Sequence, residues 1–163
     1  MAELKPQNYS ADLERGHEYQ DFITREFMTR GVVMANFVSR KAQLYGENTL
    51  GMEVKFDDVM RLSGRIFFEC ACWSVTLQQW VQSGVNKADG CWLYTVGNYS
   101  TAYVFSKRML ARIAERAQFN VVSAGITQQF VTNNGRAQGF CMDLNEAEKR
   151  CVWKLEFEEE VFE

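Results

Sequence analysis

The chain has little proline and histidine, and its cysteines are not spaced as metal ligands. Its 163 residues include one proline, one histidine and five cysteines, with no Cys-x-x-Cys pair. An odd number of cysteines inside apolar runs argues against a disulfide framework, so we expect reduced residues of the core. His17 alone cannot supply a zinc site, and no Ser-His-Asp constellation is expected around it.

The chain also lacks a long apolar run and a strong charge of either sign. No apolar stretch approaches the roughly 18 residues of a membrane span, and the first residues lack a signal-peptide core. These absences predict a cytoplasmic protein, in the host cytoplasm if it is viral, without a membrane partner. The net charge of −3 argues against holding nucleic acid mainly through the overall field.

What is present favours a packed domain of mixed class. Apolar residues make up 47% of the chain, and its length suffices for one domain, residues 1–163, with a sizeable core. Helical periodicity covers 10–29 and 106–118, and alternation predicts strands at 32–38, 52–57, 65–73, 91–96, 101–105, 139–144 and 152–157. This order predicts an α/β or α+β fold with a central mixed β-sheet flanked by helices. The four tryptophans are expected in the core or at a dimer interface.

Two alternating segments carry a concentration of charge. In 52–57, Glu53, Lys55 and Asp57 share one strand face, and Glu69 lies in the segment 65–73. Ser63-Gly64 between them is a turn signal and predicts a hairpin, which would place Asp57 opposite Glu69 and Lys55 opposite Ala71. Facing carboxylates repel each other unless a cation lies between them. The pattern therefore predicts a divalent-metal site on Asp57, Glu69 and Glu53, with Lys55 as a charge-stabilising group. A solvated strand face with cross-strand ion pairs has the same pattern.

The order of these segments resembles the PD-(D/E)XK nuclease superfamily, and more narrowly its phage-borne members. The similarity extends over 16–144 and lies in a helix, a strand, an acidic hairpin and a strand that leads into a helix. The similar segments are Gly-Glu-Asn at 46–48, Gly-Met-Glu-Val-Lys-Phe-Asp at 51–57, Gly-Arg-Ile-Phe-Phe-Glu at 64–69, and 80–85, 92–94, 104–106 and 139–144. The resemblance implies a restriction-endonuclease-like core and a phosphodiesterase that cleaves DNA with Mg²⁺ or Mn²⁺.

The resemblance also implies roles for individual residues. In the family, an Asp on the first hairpin strand and a Glu on the second hold Mg²⁺, and Asp57 and Glu69 match these positions. A glutamate from the first helix often completes the site, for which Glu18 is the best candidate, with Glu14 behind it. The family's lysine, two residues after the second acid, is Ala71 here. We hypothesise that Lys55, opposite Ala71 in the predicted hairpin, supplies the missing ammonium group.

Two other assignments remain open at this point. Glu53-Val54-Lys55 can itself be the (D/E)XK triplet with Glu47 as the earlier acid, which keeps the lysine but leaves Asp57 and Glu69 unexplained. Alternatively, Ala71 marks an inactive site. Loss of the lysine would remove a positive charge that stabilises the transition state.

A basic row is the candidate surface for nucleic acid. Arg108, Arg112 and Arg116 recur every four residues of the predicted helix, with Lys107 alongside, and such a row can follow a phosphate backbone. An ordinary exposed helix face has the same composition. The acidic end, 156–163, is expected to be a solvated edge and tail.

Two functions from different classes follow from the sequence. One is a Mg²⁺-dependent DNA endonuclease of phage origin. The other is a nuclease-fold protein without catalysis that binds DNA or protein, such as a viral counter-defence factor. The apolar surplus permits a homodimer in either case.

Overall fold

A computed structural model describes residues 9–43, 46–132 and 134–158 of the chain. The described chain mixes helices and strands, which confirms the predicted mixed class. The helices are α1 (Tyr9–Thr29), α2 (Arg40–Gln43), α3 (Met60–Ser63), α4 (Lys107–Gln118) and α5 (Leu144–Arg150). The strands are β1 (Met52–Phe56), β2 (Arg65–Ser74), β3 (Gln79–Gln82), β4 (Leu93–Gly97), β5 (Thr101–Ser106), β6 (Phe130–Val131), β7 (Ala137–Asp143) and β8 (Trp153–Glu156).

The described strands form two sheets of four strands instead of the single central sheet expected. The first sheet has the order β1-β4-β5-β8 and is mixed, because β1 runs parallel to β4 while the other pairs are antiparallel. The second sheet has the order β3-β2-β7-β6 and is antiparallel throughout.

The predicted hairpin between 52–57 and 65–73 is wrong. β1 pairs with β4, and β2 pairs with β3 and β7, so the two segments belong to different sheets. The cause lies in the connection, where α3 replaces a tight turn. Asp57 begins it by accepting the N–H groups of Val59 and Met60, and Gly64 ends it in the left-handed conformation with a φ of 68°. The Ser63-Gly64 signal therefore marks a helix end.

Other local predictions have mixed outcomes. The predicted helices correspond to α1 and α4, and the Ser106 hydroxyl caps α4 by accepting the N–H of Met109. In the predicted strand 32–38 the described pairing is a single bridge between Asn36 and Asn48. The acidic end is described only to residue 158, so Glu159, Glu160 and Glu163 lie outside the described residues.

The core consists of two hydrophobic clusters on opposite faces of the first sheet. Alternation along β5 sends Ala102 and Val104 to the cluster beneath α1, and Tyr103 and Phe105 to the other cluster. The second cluster is filled from β2, β7 and α4 by residues such as Ile66, Phe68, Phe140 and Leu110, all fully buried. The first sheet is therefore a middle layer between the two clusters, and β1 is one of its two edge strands.

The aromatic and sulfur side chains depart in part from expectation. Trp73, Trp80, Trp92 and Trp153 are all at least 38% exposed, so they do not lie in the core. Their expected place at a dimer interface stays a prediction. All five cysteines are free thiols, of which Cys70 and Cys91 are buried and the other three half-buried. None of the helices in the described segments has the length and hydropathy that a membrane span needs.

Replacing Phe68 by alanine tests the second cluster. Its ring stacks on Phe140 at 5.2 Å between centroids and meets Phe105 edge-on at 5.3 Å. The cavity left behind should lower the free energy of unfolding by about 3–5 kcal/mol. Phe119→Ala is the matched control, because that ring is 69% exposed, and it should change stability by less than about 0.5 kcal/mol in urea unfolding. Similar losses in both variants would show that Phe68 does not anchor the core.

Candidate functional site

A buried carboxylate on β1 organises the candidate site. Glu53 is 1% exposed, and alternation along β1 turns it away from Met52 and Val54, which pack beneath α1. Its Oε1 lies 3.0 Å from the Nζ of Lys55, and its Oε2 accepts a hydrogen bond from the Nζ of Lys107 at 3.1 Å. Each oxygen of Glu53 therefore has its own ammonium partner.

Lys107, the first residue of α4, connects Glu53 to a second buried acid. Its side chain is 7% exposed, and its Nζ donates to the Oδ1 of Asp89 at 2.9 Å. Asp89 is held in turn by the N–H of Cys91, also at 2.9 Å. Burial would lower the pKa of Lys107, but the hydrogen bond to Asp89 and the charge of Glu53 together raise it. Lys107 thus lies inside an ion-pair network and not on the exposed basic row where the sequence placed it.

A third acid, Glu47, approaches Lys55 from the segment before β1. Its Oε2 accepts hydrogen bonds from the N–H of Val54 at 3.1 Å and from the side-chain amide of Gln20 on α1 at 3.4 Å. Its Oε1 lies 3.9 Å from the Nζ of Lys55. Burial raises the pKa of Glu47, against the opposing effect of Lys55.

The loop that carries Glu47 is fixed by its neighbour Asn48. The buried Asn48 side chain donates to the carbonyl of Met52 at 2.6 Å and accepts the N–H groups of Leu50 and Met52. The backbone carbonyl of Glu47 also accepts the N–H of Phe37 at 2.9 Å. The segment Gly46-Glu47-Asn48 is the sequence feature that indicates this loop, because an asparagine side chain can pair with the backbone N–H and carbonyl groups of a tight turn.

Lys55 differs from Lys107 in its exposure. Its side chain is 44% exposed, and it lies between Glu53 and Glu47, within 4 Å of both carboxylates. Burial would lower the pKa of Lys55, but these two acids outweigh burial and raise it. The ammonium therefore occupies a position that attracts a cation, on the wall of a cleft of about 510 Å³ beside α1. His17, Gln20 and Lys87 also line this cleft.

Asp57 and Glu69, the metal ligands that the sequence predicted first, lie on the other side of Lys55. Both acids line a second cleft of about 650 Å³, together with Lys55. They are not cross-strand partners, because Glu69 pairs with Gly139 of β7. The carboxylate of Asp57 caps the start of α3, while that of Glu69 accepts the Ser83 hydroxyl at 2.6 Å. Burial raises the pKa of Asp57 above its ordinary value.

The two glutamates of α1 that the sequence suggested as further ligands lie away from this site. Glu14 and Glu18 are exposed on α1, and neither is among the residues that line the two clefts. The hydrogen bond from α1 to Glu47 comes from Gln20. Gln20 is two residues after Glu18 and therefore lies on a different face of the helix. Within the described part of the chain, no group of three or more His, Cys, Asp or Glu side chains is placed to hold a metal ion.

The basic row on α4 gains a member that the sequence did not indicate. Arg108, Arg112 and Arg116 are exposed and line a shallow groove opposite the buried Leu110. Arg150 of α5 lines the same groove and is held by Glu146 through a 2.6 Å hydrogen bond. The groove therefore receives a fourth arginine from α5, which is already paired with Glu146.

Comparison with known proteins gives no counterpart. A scan against protein-family models, a search of curated proteins and a search of solved structures found no match for the chain.

Removing the ammonium of Lys107 should destabilise the fold. Lys107→Met leaves Glu53 and Asp89 buried without their shared partner, and breaking a buried pair in this way costs about 3–5 kcal/mol. Lys149→Met is the control, because Lys149 is 73% exposed in its pair with Glu146, and its loss should stay below about 1 kcal/mol. Urea unfolding at neutral pH measures both, and equal losses would contradict the importance of the buried network.

The stability of the wild-type protein and that of Lys107→Met should also depend differently on pH. Burial would raise the pKa of Asp89, but Lys107 and the N–H of Cys91 hold it below the ordinary value. The stability that this gives is present above about pH 4 and is lost as pH falls through the lowered pKa of the folded state. Lys107→Met lacks the main cause of that lowering. The stability gap between the wild-type protein and the variant should therefore narrow below about pH 4, which unfolding curves from about pH 7 to pH 3 will measure. A constant gap would show that Asp89 does not depend on Lys107.

Proposed function

We propose that this protein is a divalent-metal-dependent phosphodiesterase that cleaves DNA, with a restriction-endonuclease-like core. We assign Glu53-Val54-Lys55 as its (D/E)XK triplet and Glu47 as the earlier acid. The observation that carries the assignment is the convergence of Glu47 and Glu53 within 4 Å of one partly exposed lysine beside an open cleft.

The donor set suits Mg²⁺ or Mn²⁺. Mg²⁺ prefers oxygen ligands and is commonly held by one or two protein carboxylates, with waters and substrate phosphate completing its shell. Glu47 and Glu53 would hold it at the point where the ammonium of Lys55 now lies between them. A bound ion would polarise the scissile phosphate and lower the pKa of the attacking water.

The residues of the chain divide the remaining tasks according to their exposure. Lys107 is buried and anchored by Asp89, so it orients Glu53 and holds one of its oxygens. Lys55 is free to turn from Glu53 towards a phosphate, because nearly half of its side chain faces solvent. Lys87 lines the same cleft and adds positive charge where a DNA backbone would enter.

A second candidate is a nuclease-fold module that binds DNA or protein without cleaving it. The specific observation in its favour is the pairing of both Glu53 oxygens with ammonium groups, which leaves neither oxygen without a partner. In that case Lys55 is a structural partner of Glu53. The basic groove on α4 serves either candidate.

Metal-induced stabilisation and DNA cleavage test the assignment together. Saturating Mn²⁺ or Mg²⁺ should stabilise the wild-type protein, by about 2.7 kcal/mol at 100 times the dissociation constant. Glu47→Gln should abolish this gain, whereas Asp57→Asn and Glu69→Gln are matched controls that should keep it. Lys55→Met should retain metal binding, because both carboxylates remain, but lose about 100-fold or more in cleavage of supercoiled and linear DNA, because it removes the charge that stabilises the transition state.

The outcomes separate the alternatives. Loss of the metal effect in Asp57→Asn and Glu69→Gln, but not in Glu47→Gln, would move the site to the second cleft. Absence of both stabilisation and cleavage in folded wild-type protein would favour the non-catalytic module.

A further inference from the structure

Trp92 combines high exposure with a fixed position. Its side chain is 64% exposed, yet its indole N–H donates to the carbonyl of Leu50 at 2.7 Å. The ring also lies against Gly51, where a Cβ atom would come within 2.8 Å of its Cδ1, and Gly51 has a φ of +62°. An exposed aromatic ring held by a neighbouring segment of the chain loses little conformational entropy when a ligand packs on it.

The surroundings of Trp92 are positively charged. A recess of about 440 Å³ beside the ring is lined by Lys87, Lys107 and Arg108, and none of the described lining residues is acidic. Lys107 is committed to Glu53 and Asp89, and Lys87 lies 3.8 Å from Asp89. The exposed Arg108 and the half-exposed Lys87 are therefore the cations that a ligand in this recess would meet.

The recess and the candidate site share one lining residue. Lys87 lines both the recess and the cleft that contains Glu47 and Lys55. The ammonium of Lys87 is therefore within reach of a polyanionic strand in the cleft and of a ligand beside Trp92.

We propose that Trp92 stacks on an unpaired nucleobase while Lys87 and Arg108 contact the adjoining phosphates. This inference rests on the proposed function in taking DNA as the substrate, and it narrows the substrate to DNA with a single-stranded segment. Base stacking on an aromatic ring beside a basic groove is how single strands are bound without sequence preference. Bases inside a duplex have both faces covered, so the interior of a duplex offers no free face to the indole.

The test is a binding measurement without divalent metal. Fluorescence anisotropy of a labelled single-stranded oligonucleotide, and of the duplex of the same sequence, is measured in EDTA for the wild type, Trp92→Leu and Trp92→Phe. Trp92→Leu should weaken single-strand binding roughly 5- to 150-fold and change duplex binding less than about twofold. Trp92→Phe keeps an aromatic face and should recover most of the single-strand affinity. Trp153→Leu, at a site 39% exposed on β8, is the control and should leave both affinities unchanged.

The phosphate contacts are tested by salt dependence. A Lys87→Ser/Arg108→Ser double variant should bind single strands more weakly and lower the slope of log affinity against log salt by about 1.4. An unchanged slope would overturn the role of these two cations.

The inference and the proposed function can fail separately. Equal effects of Trp92→Leu on single strands and duplex, or no effect on either, would overturn the stacking proposal even if the protein cleaves DNA with Mg²⁺. A selective loss of single-strand binding would support it even if the wild-type protein proves unable to cleave.

Discussion

The buried contacts of Lys107 with Glu53 and Asp89 determine how the rest of this molecule is arranged. They join the edge strand β1, the first turn of α4 and the loop before β4 through one ammonium group. Burying charges is unfavourable unless each one is paired and hydrogen-bonded, so an arrangement that separated these three elements would leave buried charges without partners. The position of α4 then fixes its arginine row, and the position of β1 fixes the candidate site.

The two faces of β1 have separate tasks. Met52 and Val54 pack beneath α1, and on the opposite face Glu53 and Lys55 form the charged site. The apolar contacts with α1 also bring Gln20 to Glu47, so the packing of a helix positions a polar side chain. A strand at the edge of its sheet suits this division, because its charged face can meet a solvent-filled cleft while its apolar face remains covered.

The two lysines of the network differ in exposure, so the contacts of Lys107 are fixed while Lys55 can change its partners. Lys107 is almost completely enclosed, whereas Lys55 has access to solvent and to both clefts. A cation or a phosphate could therefore compete for Lys55 or its acids without dismantling the core. The candidate recess beside Trp92 lies on the fixed side of the network, where the surrounding loop is already ordered by backbone and indole hydrogen bonds.

The sequence by itself determined the local elements, because periodicity and capping act between near neighbours. It was sufficient to predict α1, α4 and the alternation of β1 and β2. The charged face that carries Glu53 and Lys55 was predictable for the same reason. Strand pairing was decided by the tertiary structure. Ser63-Gly64 fits a hairpin turn or a helix end equally well, and only the capping of α3 by Asp57 selects the second. The parallel partner of β1 lies some 40 residues away in β4, beyond the reach of any local pattern. For the same reason Lys107 reads as one more cation of a basic row until α4 packs and buries it against Glu53.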